Sequence, residues 1–322
     1  MKKFLRIVLT GVVALVALVL AGLLTTTIVN TAASASEATR IEDYGQRVEV
    51  DGRRMNVQVA GEGDQTIVLL PGFGTGSPVL DFSPLTDELA ATYRVVVVEP
   101  LGYGLSDQTD VPRTTANIVS EIHEAVSALG IDRYVLMGHS IAGISALDYV
   151  ERFRDEVTAF VGIDSSVPDQ PGMDVSLPVD ALRAAKALGI TRLVTALSGD
   201  PYPDPPYDQH TREQLGMISQ RNTSSATSSD EMSRIAANFR AAKGKTFPSD
   251  LPVLLFVQRH NPTVEGWLPL HEDQAASVIR GEVVPLDADH YLHHTKSPEI
   301  AAGVGRFLTA AGVGEQAVPP RG

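Results

Sequence analysis

Along most of the chain, short runs of β-branched and aliphatic residues alternate with segments whose apolar positions recur at helical spacing. Gln46–Val50 and Arg53–Ala60 read as strands joined by Asp51-Gly52, a dipeptide suited to a two-residue hairpin turn. Thr66–Leu70, Tyr93–Val98, Tyr134–Met137, Ala159–Ile163, Val253–Val257 and Val283–Leu286 read as further strands. Runs as apolar as the valines within Tyr93–Val98 suit strands covered on both faces, as in a parallel sheet. Between them, Ser83-Pro84 marks a helix start, with proline at the first helical position. Ile118, Ile122, Ala125, Val126 and Leu129 fall on one face of a helix that Gly130 stops. Ile141–Phe153 and Pro298–Leu308 read as later helices. This alternation predicts an α/β fold with a doubly wound, mostly parallel sheet.

Ser165–Asp250 breaks the pattern. It shows helical spacing around Val179–Leu188 and Asp230–Ala242, a Pro/Asp-rich loop at Gly199–Tyr207, a Ser/Thr cluster at Thr223–Ser229, and no strand run. It is expected to be a helical cap (165–250) inserted after the sixth strand, between core segments 41–164 and 251–311. Leu182, Leu193, Leu197, Leu215, Met217 and Phe239 either bury its helices or line an apolar pocket whose mouth Pro201–Tyr207 borders. Residues 312–322 read as a flexible tail.

The N-terminus has a different pattern. Lys2, Lys3 and Arg6 precede Ile7–Leu24, eighteen residues with no charge and Thr10 as the one polar side chain. That length lies between a signal h-region of about 7–15 residues and a spanning helix of about 20. Residues 1–28 are read as an uncleaved anchor, with 29–40 as a linker; secretion after cleavage at Ala33-Ser34-Ala35 is the alternative. The basic flank places the N-terminus in the cytoplasm and the body outside. Composition then narrows the partners. The chain carries a net charge of −13 although its first charged residues are basic, which argues against nucleic acid. With no cysteine, a thiol nucleophile, a thiolate metal site and a disulfide are excluded.

Candidate chemistry centres on Gly138-His139-Ser140-Ile141-Ala142-Gly143, where an apolar run gives way at once to a helical segment. A serine on such a turn is presented above a sheet, and small residues at 138, 142 and 143 let strand and helix backbones approach closely. Serine needs a base, and the base needs an acid to fix its tautomer. His290, first after the last strand end, is the expected base; His293 and His294 are expected to be structural or exposed, and His139 to point into the sheet surroundings. Asp164, at the end of the strand after the elbow, is the preferred acid. Glu265 is the alternative, and Asn261 occupies the place after the next strand where an aspartate is common. Oxyanion donors are expected from the N–H groups of Phe73, in Pro71-Gly72-Phe73-Gly74-Thr75-Gly76, and of Ile141. No Gly-Lys-Ser/Thr ending supports a phosphate cradle in that loop. Trp267 is assigned to core packing, and no metal set is expected around the three histidines.

Four segments in order then carry a resemblance: Leu70-Pro-Gly-Phe-Gly74, Glu99-Pro-Leu-Gly-Tyr-Gly-Leu-Ser-Asp107, Gly138–Gly143, and Asp289-His-Tyr-Leu292 ahead of Ser297-Pro298-Glu299. From about Gln46 to Leu308 the chain resembles the α/β-hydrolase fold superfamily, of the serine-nucleophile, cap-bearing, membrane-tethered bacterial type. It departs at Pro71, where many members have histidine, at Ala142 and at Asn261. The resemblance implies a Ser140–acid–His290 triad with a backbone oxyanion hole and no cofactor. The implied activity is a serine esterase or related acyl hydrolase acting on a small, apolar acyl substrate. The alternatives are amide or carbon–carbon bond hydrolysis, perhydrolysis, and a non-catalytic binding protein.

Overall fold

The computed structural model describes residues 1–199, 202 and 206–314. Its strands are β1 (Gln46–Val50), β2 (Arg53–Ala60), β3 (Thr66–Leu70), β4 (Arg94–Glu99), β5 (Tyr134–His139), β6 (Val157–Ile163), β7 (Val253–Gln258) and β8 (Gly281–Leu286). They form one sheet in the order β1-β2-β4-β3-β5-β6-β7-β8. β2 runs antiparallel to both its neighbours, and the other pairings are parallel. Asp51 and Gly52 both take positive φ, the backbone that a two-residue hairpin turn requires.

Before, between and after the strands lie α1 (Lys2–Ala38), α2 (Pro78–Asp81), α3 (Ser83–Ala90), α4 (Thr115–Ala128), α5 (Ala142–Arg152), α6 (Val179–Ala187), α7 (Ile190–Ser198), α8 (Gln209–Asn222), α9 (Ala226–Ala242), α10 (Trp267–Ala276), α11 (Leu292–Thr295) and α12 (Ser297–Ala310). Alternate residues of each central strand face opposite sides, so two cores form. On one, Val68, Val96 and Leu136 pack with Ile122 and Val126 of α4 and Leu147 and Val150 of α5. On the other, Leu69, Val97 and Met137 pack with Leu85 and Leu89 of α3 and Val304 and Leu308 of α12. Helices on both faces explain why β3, β5 and β7 are buried along their whole length.

α6–α9 lie between β6 and β7, so the cap follows the sixth strand as expected. α7 and α8 lie beyond the two helical patches read in the sequence. Asp200, Pro201, residues 203–205 of the Pro/Asp-rich loop, and 315–322 of the expected tail lie outside the described residues.

The linker expected at 29–40 is replaced by helix, because α1 continues to Ala38. Tertiary contacts hold this polar stretch in helical form. Thr26 Oγ1 donates to the Leu188 carbonyl at 2.7 Å, and Asn30 Nδ2 to that of Lys186 at 3.2 Å. Arg192 then clamps Glu37 with two bonds of 2.6 and 2.8 Å. Gly189 sits at the closest approach: a Cβ there would lie 2.3 Å from the Thr26 carbonyl oxygen. α1 is long and apolar enough to cross a membrane, and none of its most apolar window is buried.

Candidate active site

β5 delivers Ser140 to a sharp turn before α5. Its φ is +54°, a left-handed conformation that costs a residue with a Cβ roughly 1–3 kcal/mol. The surroundings hold it there: Ser140 N–H donates to Ile163 O at 3.2 Å, and Ser140 O accepts from Ser166 N–H at 2.7 Å. The close approach expected of the small residues is present, since a Cβ on Gly143 would lie 2.3 Å from Ser166 O.

The loop after β8 brings His290 to Ser140, with its Nε2 3.0 Å from Oγ. Its Nδ1 lies 2.6 Å from Asp164 Oδ2. With the proton on Nδ1, the Nε2 lone pair faces the serine hydroxyl, the arrangement in which imidazole accepts a proton. Asp164 is fully buried at the end of β6, while the His290 side chain is 42% exposed at the surface the substrate must reach. The other oxygen of Asp164 accepts from Gln258 N–H at 2.8 Å and from Trp267 Nε1–H at 2.7 Å. A buried carboxylate with three donors around it is fixed in one orientation.

The sequence therefore placed Ser140, His290 and Asp164 in regions that the fold brings together. Glu265 is exposed, and among the described residues it makes no hydrogen bond to His290. Asn261 organises its own loop, its Oδ1 accepting from Thr263 N–H, Thr263 Oγ1–H and Val264 N–H. Gly72, just before Phe73, lies against Ser140, a Cβ there falling 3.0 Å from Ser140 Cβ, and neither the Phe73 nor the Ile141 N–H donates to a protein acceptor among the described residues. Glu99 anchors the Phe73 loop. This buried carboxylate accepts from Tyr44 Oη, Ser77 Oγ, Asn56 Nδ2 and the N–H groups of Val79 and Leu105.

Three roles escaped the sequence reading. Trp267 is buried in the core as expected, but its indole N–H also binds Asp164. His271, one turn along α10, lies 2.7 Å from the carbonyl oxygens of both Trp267 and Ser165, tying that helix to the Asp164 loop. His139 is buried and places Nε2 3.2 Å from the His290 carbonyl oxygen, so it steadies the His290 backbone. Burial and the nearby His293 and His290 hold His139 well below the usual imidazole range, and it stays neutral.

His293 and His294 are buried rather than exposed, and both reach Asp81, at 2.7 and 2.9 Å. Asp81 is the acidic partner that sequence spacing did not reveal, 212 residues from His293. These three are the described group with ligand atoms close enough for a cation, all within 4.8 Å of one another. Each imidazole lies at hydrogen-bond distance from a separate oxygen, so hydrogen bonding alone accounts for the group. The two imidazoles hold Asp81 well below the usual carboxylate range despite its burial.

Residues 67–303 match the profile of the alpha/beta hydrolase family. The chain belongs to that family. It is 32% identical over 133 residues to the human serine hydrolase BPHL, covering 39% of this chain and 45% of that protein. It is 27% identical over 168 residues to a 2-hydroxy-6-oxononadienedioate/2-hydroxy-6-oxononatrienedioate hydrolase of Paraburkholderia phymatum, covering 51% and 56%. The matched stretch thus spans about half the length of these curated relatives. Among solved structures, a membrane phospholipase A that is a bacterial virulence factor superposes with a TM-score of 0.61 at 20% identity, over 97% of this chain and 99% of that one. At that identity the likeness concerns the fold.

Proposed function

We propose that this alpha/beta hydrolase is a membrane-anchored serine acyl hydrolase, with Ser140 as nucleophile, His290 as base and Asp164 as acid. The observation that carries the reading is the continuous relay at 3.0 and 2.6 Å beside two N–H groups with no protein acceptor. Ser140 Oγ attacks the substrate carbonyl as its proton passes to His290 Nε2, and Asp164 stabilises the imidazolium. Phe73 and Ile141 N–H receive the oxyanion. The imidazolium then returns its proton to the leaving alcohol, and water activated by the same nitrogen releases the acid.

An apolar acyl group suits the surroundings. Ile141, Met173 and Ile235 each pack against a buried cluster of Ile144 of α5 with Phe239 and Ala242 of α9. An anchor suits α1, because cleavage near Ala35 would remove the Thr26 and Asn30 contacts with the cap. Leu182 of α6 and Leu193, Val194 and Leu197 of α7 are exposed on the two helices that carry those contacts. In this reading they rest against the bilayer surface, with the catalytic body on the extracytoplasmic side. The phospholipase activity of the structural neighbour is in line with an acyl substrate drawn from a membrane. The Paraburkholderia relative is named for a dioate, a dicarboxylate, whereas the described lining of the cavity beside Ile141 here includes Glu231 and no basic side chain.

Labelling of the full-length chain in detergent with a fluorophosphonate tests the nucleophile. The label is expected on Ser140, lost in Ser140→Ala and slowed in His290→Gln. Equal labelling of Ser140→Ala would overturn the assignment.

A further inference from the structure

Beside the nucleophile lies a cavity of about 30 Å³, room for about two water-sized groups. Leu70 and Pro71, which lead into the Phe73 loop, and Ile141 and Ala142, which follow the nucleophile, form one side of it. Ile118 and Ile122 of α4 add further apolar wall. The cap contributes a different chemistry through Glu231 of α9, which is 95% buried by its 5% exposure. Glu231 Oε1 accepts from Tyr103 Oη–H at 2.8 Å, while Oε2 is buried without a partner among the described residues. The proposed reaction uses neither oxygen.

A buried carboxylate oxygen left unpaired is destabilising, the more so when charged. Burial pushes Glu231 up to about 7, against the pull of Arg113 and the Tyr103 bond, and Glu121 and Asp230 push it the same way. Arg113 does not resolve the deficit. Its Nη1 serves Glu121, at 2.6 and 2.8 Å, and its Nε and Nη2 are also without partners. One guanidinium thus faces two buried carboxylates, a group short of one positive charge or one donated proton.

We infer that Glu231 is the unpaired acceptor of a small acyl subsite whose wall also carries Tyr103, Thr115, Ser145 and Asn238, and that it selects acyl chains ending in a hydrogen-bond donor, a terminal hydroxyl or ammonium. The inference rests on the acyl hydrolase reading for its substrate and on the cavity for its chemistry. The apolar wall takes the methylene chain past Ile141, and Glu231 Oε2 accepts from the terminal group. A methyl-terminated chain entering the same space strands that oxygen away from water. Sites built this way reject the analogue that lacks the donor.

The test uses full-length Ser140→Ala protein in detergent, so that binding is measured without turnover. Methyl esters of propanoate and butanoate, short enough for this space, each plain, ω-hydroxylated or ω-aminated, are titrated by calorimetry. At one chain length, a donor-terminated ester is expected to bind about tenfold more tightly than its plain counterpart. A second substitution of Glu231→Gln in this background should shrink the hydroxyl preference and abolish that for ammonium. Glu231→Leu should reverse the order in favour of methyl. Glu231→Gln preserves size, so it keeps the test open if the leucine variant fails to fold by circular dichroism. Equal affinity for all three end groups at every length would overturn the inference and leave water as the occupant. The active protein separates this from the acyl hydrolase reading. Ser140-dependent hydrolysis without end-group preference would remove the subsite alone. Donor-selective binding without hydrolysis of any ester would retain the subsite and remove the reaction.

Discussion

Replacing Trp267 with phenylalanine keeps an aromatic ring in the core and removes one N–H donor. In the native site that donor lies 2.7 Å from Asp164 Oδ1, on a residue with no exposed surface, so water cannot take its place. A hydrogen bond to a charged group contributes about 1.5–3 kcal/mol. Trp267 is itself 5% exposed, so the smaller ring also leaves a void, and the total loss of stability is roughly 2–4 kcal/mol. The functional effect is separable. Without the indole, Gln258 N–H alone holds the oxygen that His290 does not use, and the carboxylate can turn away from Nδ1. If half the bond energy goes into holding His290, kcat/KM for p-nitrophenyl esters falls about tenfold, the equivalent of ~1.4 kcal/mol. Val150→Ala is the control: it opens a void in the same core and removes no hydrogen-bond donor. Thermal unfolding by circular dichroism should show similar losses for both variants, with activity reduced in Trp267→Phe alone. Trp267→Phe activity within twofold of native, beside a normal loss of stability, would refute the positioning argument and return Trp267 to packing.

Three further outcomes follow from the same geometry. Glu231 holds its proton up to about 7 when folded, above the ordinary value of 4.5, so the folded state binds more protons across that window. Its contribution to stability is therefore greatest at low pH and is lost as pH rises through 7. Thermal unfolding should find Glu231→Gln stabilised relative to native at pH 8 but not at pH 5, by up to roughly 3 kcal/mol; equal shifts at both pH values would contradict this. Arg192→Ala removes both bonds to Glu37, and hydrogen exchange in residues 26–38 should accelerate about tenfold, with unchanged protection arguing against the clamp. Glu265→Gln should leave kcat/KM within twofold of native; a large loss would move the acid to the loop after β7.

What the sequence revealed, and what it hid, follows from the range of each interaction. Strands such as β3 and β5 are legible because burial on both faces demands an unbroken apolar run. The Ser140 turn is legible because close packing of β5 on α5 excludes large side chains locally. α8 was missed because its polar outer face masks the buried Leu215, Met217 and Ile218. The stretch after Ile28 looked like a linker, since its Thr, Ser and Asn carry weak helical preference and its small side chains show no apolar stripe. Its helix depends on Leu188 and Arg192, which are about 160 residues away. Distance in sequence also hid Trp267 on Asp164, Asp81 between His293 and His294, and Glu231 on Tyr103. Residue type announces that a buried histidine or glutamate needs a partner, but only the fold selects which one.

The account stands or falls on steady-state hydrolysis of p-nitrophenyl esters, from acetyl to long acyl chains, by the full-length protein beside its Ser140→Ala and Asp164→Asn variants. The account predicts turnover by the native chain, none above background with Ser140→Ala, and a loss of about 10³–10⁴-fold with Asp164→Asn in a folded protein. Hydrolysis that survives Ser140→Ala, or a folded native chain that cleaves no ester of any length, would contradict it.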